Sequence, residues 1–171
     1  MRMSALEQLY QQVILDHAKE RHGHGLRPAP SRTAAGSSHQ YNPLCGDEVT
    51  VDVALAGDRV IADVSWEGDG CSISQASTSV MYDLIIGQPL DEARSLMDEF
   101  RLMLRSRGSV EPDEDRLGDA AAFVGVGKHA NRVKCAMLGW IAFEDALAQA
   151  MEAASVVSAA PTAQKTQETH S

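Results

Sequence analysis

Three cysteines, Cys45, Cys71 and Cys135, and one aspartate, Asp47, are the residues of this chain whose types suit thiolate or metal chemistry. Cys45 and Asp47 flank Gly46 in the run "QYNPLCGDEV", where the glycine lets the backbone bend both side chains inward. Cys71 follows "GDG", and Cys135 lies in "KHANRVKCAMLGW". Thiolate is the form of cysteine that binds metal or attacks sulfur. Three thiolates leave one position open around a tetrahedral ion, and Asp47 is the obvious fourth donor. Closed structural zinc sites use four cysteines or three cysteines and a histidine. A carboxylate among thiolates therefore points to a labile position or to a site that accepts iron as well. The competing reading is three buried small hydrophobic side chains, and spacing alone does not choose between the two.

The elements that must position these residues follow from the apolar pattern. Residues 4 to 18 place Leu6, Leu9, Val13 and Ile14 on one helical face, with Ser4 and Glu7 in a capping-box arrangement. From His22 to Ser38 the composition shifts to Gly, Pro, Ser and Arg, which predicts a connector. Its "RHGHG" has the look of a histidine metal tract, but no matched acidic or thiol partner lies nearby, and it reads as an ordinary connector.

Val49, Val51, Val53 and Leu55 then alternate with polar residues, Gly57-Asp58 forms a turn, and Val60, Ala62, Val64 and Trp66 alternate again. This predicts a β-hairpin with one buried face. "CSISQASTSVMYDLIIGQ" reads as a helix with Ile73, Val80, Leu84 and Ile85 for the core and Gly87 as its stop. Pro89 opens another, with Leu96, Phe100 and Met103 as its stripe. Residues 106 to 116 are polar and acidic, an exposed loop. A long final helix follows, carrying Ala136, Leu138, Ile141, Ala142 and Leu147. The fold class expected is α+β, a short antiparallel β-sheet packed against helices. Residues 1–154 are expected to form one domain, and 155–171 a disordered tail.

Composition narrows the function classes. The chain has 171 residues, enough for one real core, and carries 15 basic against 24 acidic residues, a net charge of −9. With no basic stripe, nucleic acid is not an expected partner. No segment reaches the roughly 18 uninterrupted apolar residues of a membrane span, so no membrane role and a cytoplasmic location are expected. An odd number of widely separated cysteines argues against a disulfide framework.

Each cysteine falls at a junction between predicted elements. Helix N-termini favour thiolate, because unpaired backbone N–H groups and the helix dipole stabilise negative charge there. The hairpin runs out from Cys45 and returns toward Cys71, so these two should meet at one edge of the sheet. Cys135 joins them if its helix begins at that edge.

The stretches "NPLCGDEVTV", "WEGDGCSISQASTSVM" and "KHANRVKCAMLGW" resemble the three cysteine motifs of the U-type iron–sulfur assembly proteins, and specifically their SufU branch. The resemblance runs from "LYQQVILDHAKERHG" to the final helix, about residue 6 to residue 150. The related IscU scaffolds carry a histidine immediately before the third cysteine, whereas this chain has Lys134. The region "RLMLRSRGSVEPDEDRLGDAAAF" looks like the insertion typical of the SufU branch.

The resemblance implies a zinc protein with Cys45, Asp47, Cys71 and Cys135 as ligands to one ion. It implies sulfur transfer from a SufS-type cysteine desulfurase, with Cys45 as acceptor and a histidine of the desulfurase replacing it on zinc. Arg132, three residues before Cys135, is expected to stabilise the thiolate or the transferred persulfide, and His129 to be a structural or surface histidine. Downstream partners would be a SUF scaffold or apo-proteins. The alternative function is a scaffold on which an iron–sulfur cluster is assembled and handed on. A third reading is an adaptor whose zinc only staples the fold.

Overall fold

The computed structural model describes residues 3–159. Helix α1 (Ala5–Glu20) starts where Ser4 Oγ accepts the Glu7 N–H at 3.1 Å. Strands β1 (Thr33–Asn42), β2 (Asp47–Ala56) and β3 (Ile61–Asp69) form an antiparallel sheet in the order β1-β2-β3. Helices α2 (Ser72–Ile85) and α3 (Leu90–Arg105) follow, then the single turn α4 (Glu114–Leu117). A 3₁₀ segment (Gly118–Lys128) leads into the long helix α5 (Ala130–Ala159). The α+β expectation is met. No helix among the described residues is long and apolar enough to cross a membrane.

Helix α5 lies along β1 and β2, and α2 lies between α1 and α5. The β2 residues Val49, Val51, Val53 and Leu55 are buried, as their alternation predicts. In β3 Val64 and Trp66 are buried as expected, but at its start Ile61 is buried and Ala62 exposed, the reverse of the alternation. A register shift at Ala54/Leu55 pairs Leu55 with Ile61, and this bulge resets which residues face inward.

Strand β1 occupies part of the segment expected to be a connector. Its inward residues are Gly36, Ser38 and Asn42, so it has no apolar alternation to read. What makes it a strand is pairing with β2 along its length and close contact with α5. A Cβ at Gly36 would lie 1.9 Å from the Ala146 carbonyl oxygen, so only glycine permits this approach.

Leu6 and Leu9, placed on the core face by spacing, are 51% and 57% exposed, and Ile141 is 43% exposed. Ile14 and His17 are the buried residues of α1. Helix α1 packs mainly on α2 and the 3₁₀ segment, both narrow supports, which leave much of its apolar face uncovered. Helix α5 extends to Ala159, beyond the expected tail start at 155, and residues 160–171 lie outside the described residues.

The centre of the molecule is a close crossing of α2 and α5. Ser74, Ala76, Ser77, Thr78 and Ser79 of α2 are all buried, although most are polar. Ser77 Oγ donates to the Ala136 carbonyl at 2.6 Å and accepts from the Trp140 indole N–H at 3.1 Å. Thr78 satisfies its hydroxyl on the Ser74 carbonyl at 2.8 Å. A Cβ at Gly139 would stand 2.3 Å from Thr78 Oγ1. Trp140 stacks on Phe100 with centroids 4.5 Å apart, and Phe123 meets Phe100 edge-on at 5.8 Å.

Replacing Gly36 by alanine should lower stability by about 1–3 kcal/mol, because the methyl group meets backbone rather than a movable side chain. Gly57→Ala, whose Cβ meets nothing within 4 Å, should stay within about 0.5 kcal/mol of the parent. Urea unfolding followed by circular dichroism checks both; equal midpoints would refute the close β1–α5 contact.

Candidate metal and thiol site

The four residues singled out by type converge at one end of the α2–α5 crossing. Cys45 sits in the four-residue loop between β1 and β2, closed by the Gly46 N–H donating to the Asn42 carbonyl at 2.8 Å. Gly46 has φ 73°, the left-handed conformation that the turn requires of it. Asn42 also accepts the Leu44 N–H on its side-chain oxygen at 3.1 Å, which shapes the loop. Asn42 was missed by sequence reasoning, though the Asn-Pro pair was a readable turn signal.

Asp47 is the first residue of β2 and is buried. Glu48 pairs with Asp69, so the start of β2 and the end of β3 are adjacent, and the chain then passes through Gly70 to Cys71. The hairpin therefore delivers Cys71 to Asp47. Cys71 is the N-cap of α2; its backbone N–H donates to Asp47 Oδ1 at 3.1 Å and its thiol to Oδ2 at 3.3 Å. The carboxylate thus sits at the positive end of α2. Cys135 is in the second turn of α5, buried, with its thiol 3.5 Å from the Cys45 sulfur.

One donor atom each from Cys45, Asp47 and Cys135 lies within 4.8 Å of the others. Cys71 touches Asp47 but is not a member of that trio, so full four-residue closure needs a modest approach of its side chain. Cys45 and Cys71 are exposed, while Asp47 and Cys135 are buried. The site has a fixed inner pair and an accessible outer pair.

Electrostatics follow from this crowding. Burial works against the Asp47 carboxylate, but hydrogen bonds from the Cys71 and Cys45 thiols and the Cys71 N–H outweigh it and hold its pKa below the usual value. Burial pushes the Cys135 thiol up, and its hydrogen bond to Cys45 and the charge of Cys71 push it further. Cys135 lies in the second turn of α5 rather than at its cap, so the helix-start argument for an easily ionised thiol does not apply to it. Such a cluster cannot become fully anionic without a cation.

A metal ion fits this set. Two sulfur donors and one carboxylate within 4.8 Å of one another, with the Cys71 thiol touching that carboxylate, suit zinc or iron(II). A Cβ at Gly70 would lie 2.5 Å from Ser74 Oγ and 2.9 Å from the Asp47 carboxyl carbon, so Gly70 keeps the carboxylate seated beside Cys71. Gly70 also went unnoticed in the sequence, although "GDG" before Cys71 marked a close backbone approach. Arg132 is exposed and lines a groove with Ser72, Ile73, Lys128 and His129. The same groove takes in Leu6 and Tyr10 of α1.

Asp47→Asn should keep the Cys71 N–H bond but lose the negative charge, and zinc affinity should drop by at least about 10–100-fold. Gly70→Ala should move affinity in the same direction by displacing the carboxylate. Competition with a chromophoric chelator measures both; parent-like affinity in Asp47→Asn would remove the carboxylate from the donor set.

Comparison with known proteins places these features. Residues 9–136 match the NifU-like N-terminal domain, a span that ends just past Cys135. The chain is 38% identical over 144 residues to the zinc-dependent sulfurtransferase SufU of Bacillus subtilis (strain 168), covering 84% of this chain and 92% of that one. It is 36% identical over 153 residues to the iron–sulfur cluster assembly scaffold protein IscU of Streptococcus pyogenes serotype M1, covering 90% and 91%. A crystal structure from Fervidobacterium islandicum AW-1, described as an iron–sulfur cluster assembly scaffold for the SUF system, superposes with a TM-score of 0.64. Its identity is 38%, over 82% of this chain and 98% of that one. The shared sequence, the shared fold and the convergence of three cysteines and an aspartate agree: this chain belongs to the NifU-like N-terminal domain family of SufU- and IscU-type iron–sulfur cluster assembly proteins.

Proposed function

We propose that this chain is a zinc-dependent sulfur-transfer protein that accepts persulfide sulfur on Cys45 from a SufS-type cysteine desulfurase. The observation that carries the reading is the division of the site into exposed Cys45, on a glycine-hinged loop, and buried Asp47 and Cys135. A thiol that must meet another protein's sulfur has to be reachable. The similarity to the zinc-dependent SufU of B. subtilis supports the same reading.

Zinc bound by Cys45, Asp47, Cys71 and Cys135 would supply charge that keeps the thiols deprotonated without redox chemistry of its own. Cys45 then attacks the outer sulfur of the partner's persulfide. A new S–S bond forms on Cys45, the S–S bond to the partner's cysteine breaks, and that cysteine leaves as thiolate. No oxidant is consumed. Asp47, held ionised by its hydrogen bonds, and buried Cys135 stay in place while Cys45 moves. Arg132, on the exposed start of α5, is assigned to meet the negative charge of the persulfide. Tyr41 and Leu44, both exposed beside Cys45, provide an apolar rim for the partner. A SUF scaffold or apo-protein in the cytoplasm would then take the sulfur.

The second reading is cluster assembly on the same residues, favoured by the similarity to the IscU scaffold of S. pyogenes. Lys134 counts against it, since this position offers no imidazole beside Cys135.

Cysteine turnover by a purified SufS-type desulfurase, with and without the zinc-loaded chain, separates the two. Sulfur transfer predicts a stimulation that Cys45→Ala abolishes with the fold retained, and that Arg132→Ala reduces. No stimulation from folded, zinc-loaded protein refutes the proposal. A cluster formed on anaerobic addition of iron and sulfide, and passed to an apo-protein, would then establish the scaffold reading.

A further inference from the structure

The histidine-rich "RHGHG" segment has only Glu20 beside it in sequence, but the fold supplies further acidic partners. His22 Nδ1 lies 2.6 Å from Asp83 Oδ2 of α2, and its Nε2 lies 2.9 Å from Glu20 Oε2 at the end of α1. The ring of His17 stands edge-on to it, with centroids 4.9 Å apart. His17 is itself held on both nitrogens, by Ser79 Oγ and by Asp119 Oδ2, each at 2.8 Å. Ser79 Oγ also accepts the His22 backbone N–H at 2.9 Å, so the two histidines share one anchor on α2. His24 takes no part; it packs edge-on against Trp66.

We propose that His17, His22 and Asp83 form a second site, for a divalent transition-metal ion, separate from the cysteine site. One donor atom from each residue lies within 4.8 Å of the others, a spacing that an ion can bridge. Two imidazoles and one carboxylate form a borderline donor set that favours zinc or iron(II) over magnesium or calcium. Each ring also keeps an outer partner of the kind that orients ligating histidines: Glu20 for His22, and for His17 either Ser79 or Asp119, the ion displacing the other from the ring nitrogen it takes. Three carboxylates around two imidazoles leave negative charge for a cation to offset.

Access fits as well. His17 is buried, whereas Asp83 is exposed and His22 partly so, which leaves one side of the cluster open to solvent. Along α2, Ser79 and Asp83 stand about 12 and 18 Å beyond Cys71 at 1.5 Å per residue. The two sites therefore sit on one rigid helix and cannot share an ion.

The test is metal stoichiometry of the full-length chain by equilibrium dialysis against Zn²⁺ and elemental analysis, with Co²⁺ absorption as the spectroscopic readout. The second site has no sulfur. Cobalt there gives visible bands without the near-ultraviolet sulfur-to-cobalt transition that the cysteine site produces, so failure at either site is read separately. Expected is uptake of a second ion that excess Mg²⁺ does not displace. Its affinity should fall by about 10-fold or more in both His22→Gln and Asp83→Asn, with the sulfur band and far-ultraviolet circular dichroism unchanged. Two outcomes overturn the proposal: no sulfur-free site in the folded parent, or a second ion bound equally well by parent and both variants. Either would make the cluster a hydrogen-bonded tie between α1 and α2.

Discussion

The close crossing of α2 and α5 is the contact on which the rest of this structure depends. Two helices approach this tightly only where side chains are small, and here serine, threonine, alanine and glycine line the seam. The cost of burying hydroxyl groups is offset by Ser77, which accepts from Trp140 and donates to the Ala136 carbonyl. Because the crossing fixes where both helices begin, it fixes Cys71 at the cap of one relative to Cys135 in the second turn of the other. A bulky residue at Ser77 or Gly139 would damage the thiol site without touching it.

The sheet supplies the other half of the site. Strand β2 begins at Asp47, and β3 returns beside it, so the Cys45 loop and the Cys71 cap are brought together by backbone pairing alone. Gly46 and Gly70 then set the local path of the chain. Charge explains the resulting chemistry. One carboxylate accepts hydrogen bonds from surrounding thiols, which stabilises its ionised form, while burial pushes the Cys135 thiol up. A bound divalent ion would reverse that balance and turn the hydrogen-bonded cluster into a set of donors.

Helix α1 is held by Ile14, which enters the core, with Val13 and Ala18 packed against it, and by long-range polar contacts. His17 reaches Ser79 of α2 and Asp119 of the 3₁₀ segment, and Tyr10 reaches Glu114 of α4. Arg116 of α4 in turn bonds Glu92 and Glu99 of α3. Helix α4 is thereby an ordered bracket on α1 and α3, while the 3₁₀ segment, through Ala122, Val124, Gly125 and Val126, lines the groove beside Arg132.

What the sequence determined by itself was the chemistry and most of the helical frame. Residue type singled out the cysteines and Asp47, and local pattern located the start of α1 at Ser4, the β2–β3 hairpin, the helices opening near Cys71 and Pro89, and the long final helix. Signals of this kind are local: a cap, a turn, or an alternation is complete within a few residues. Tertiary structure decided whatever depends on a partner distant in the chain. Strand β1 exists because β2 pairs with it and Gly36 admits α5. Leu6 and Leu9 are exposed because too little of the chain reaches that face of α1. His22 acquires Asp83 across 61 residues, and Cys135 approaches Cys45 across 90. No pattern within a segment encodes such meetings, since they arise from the packing of complete elements against one another.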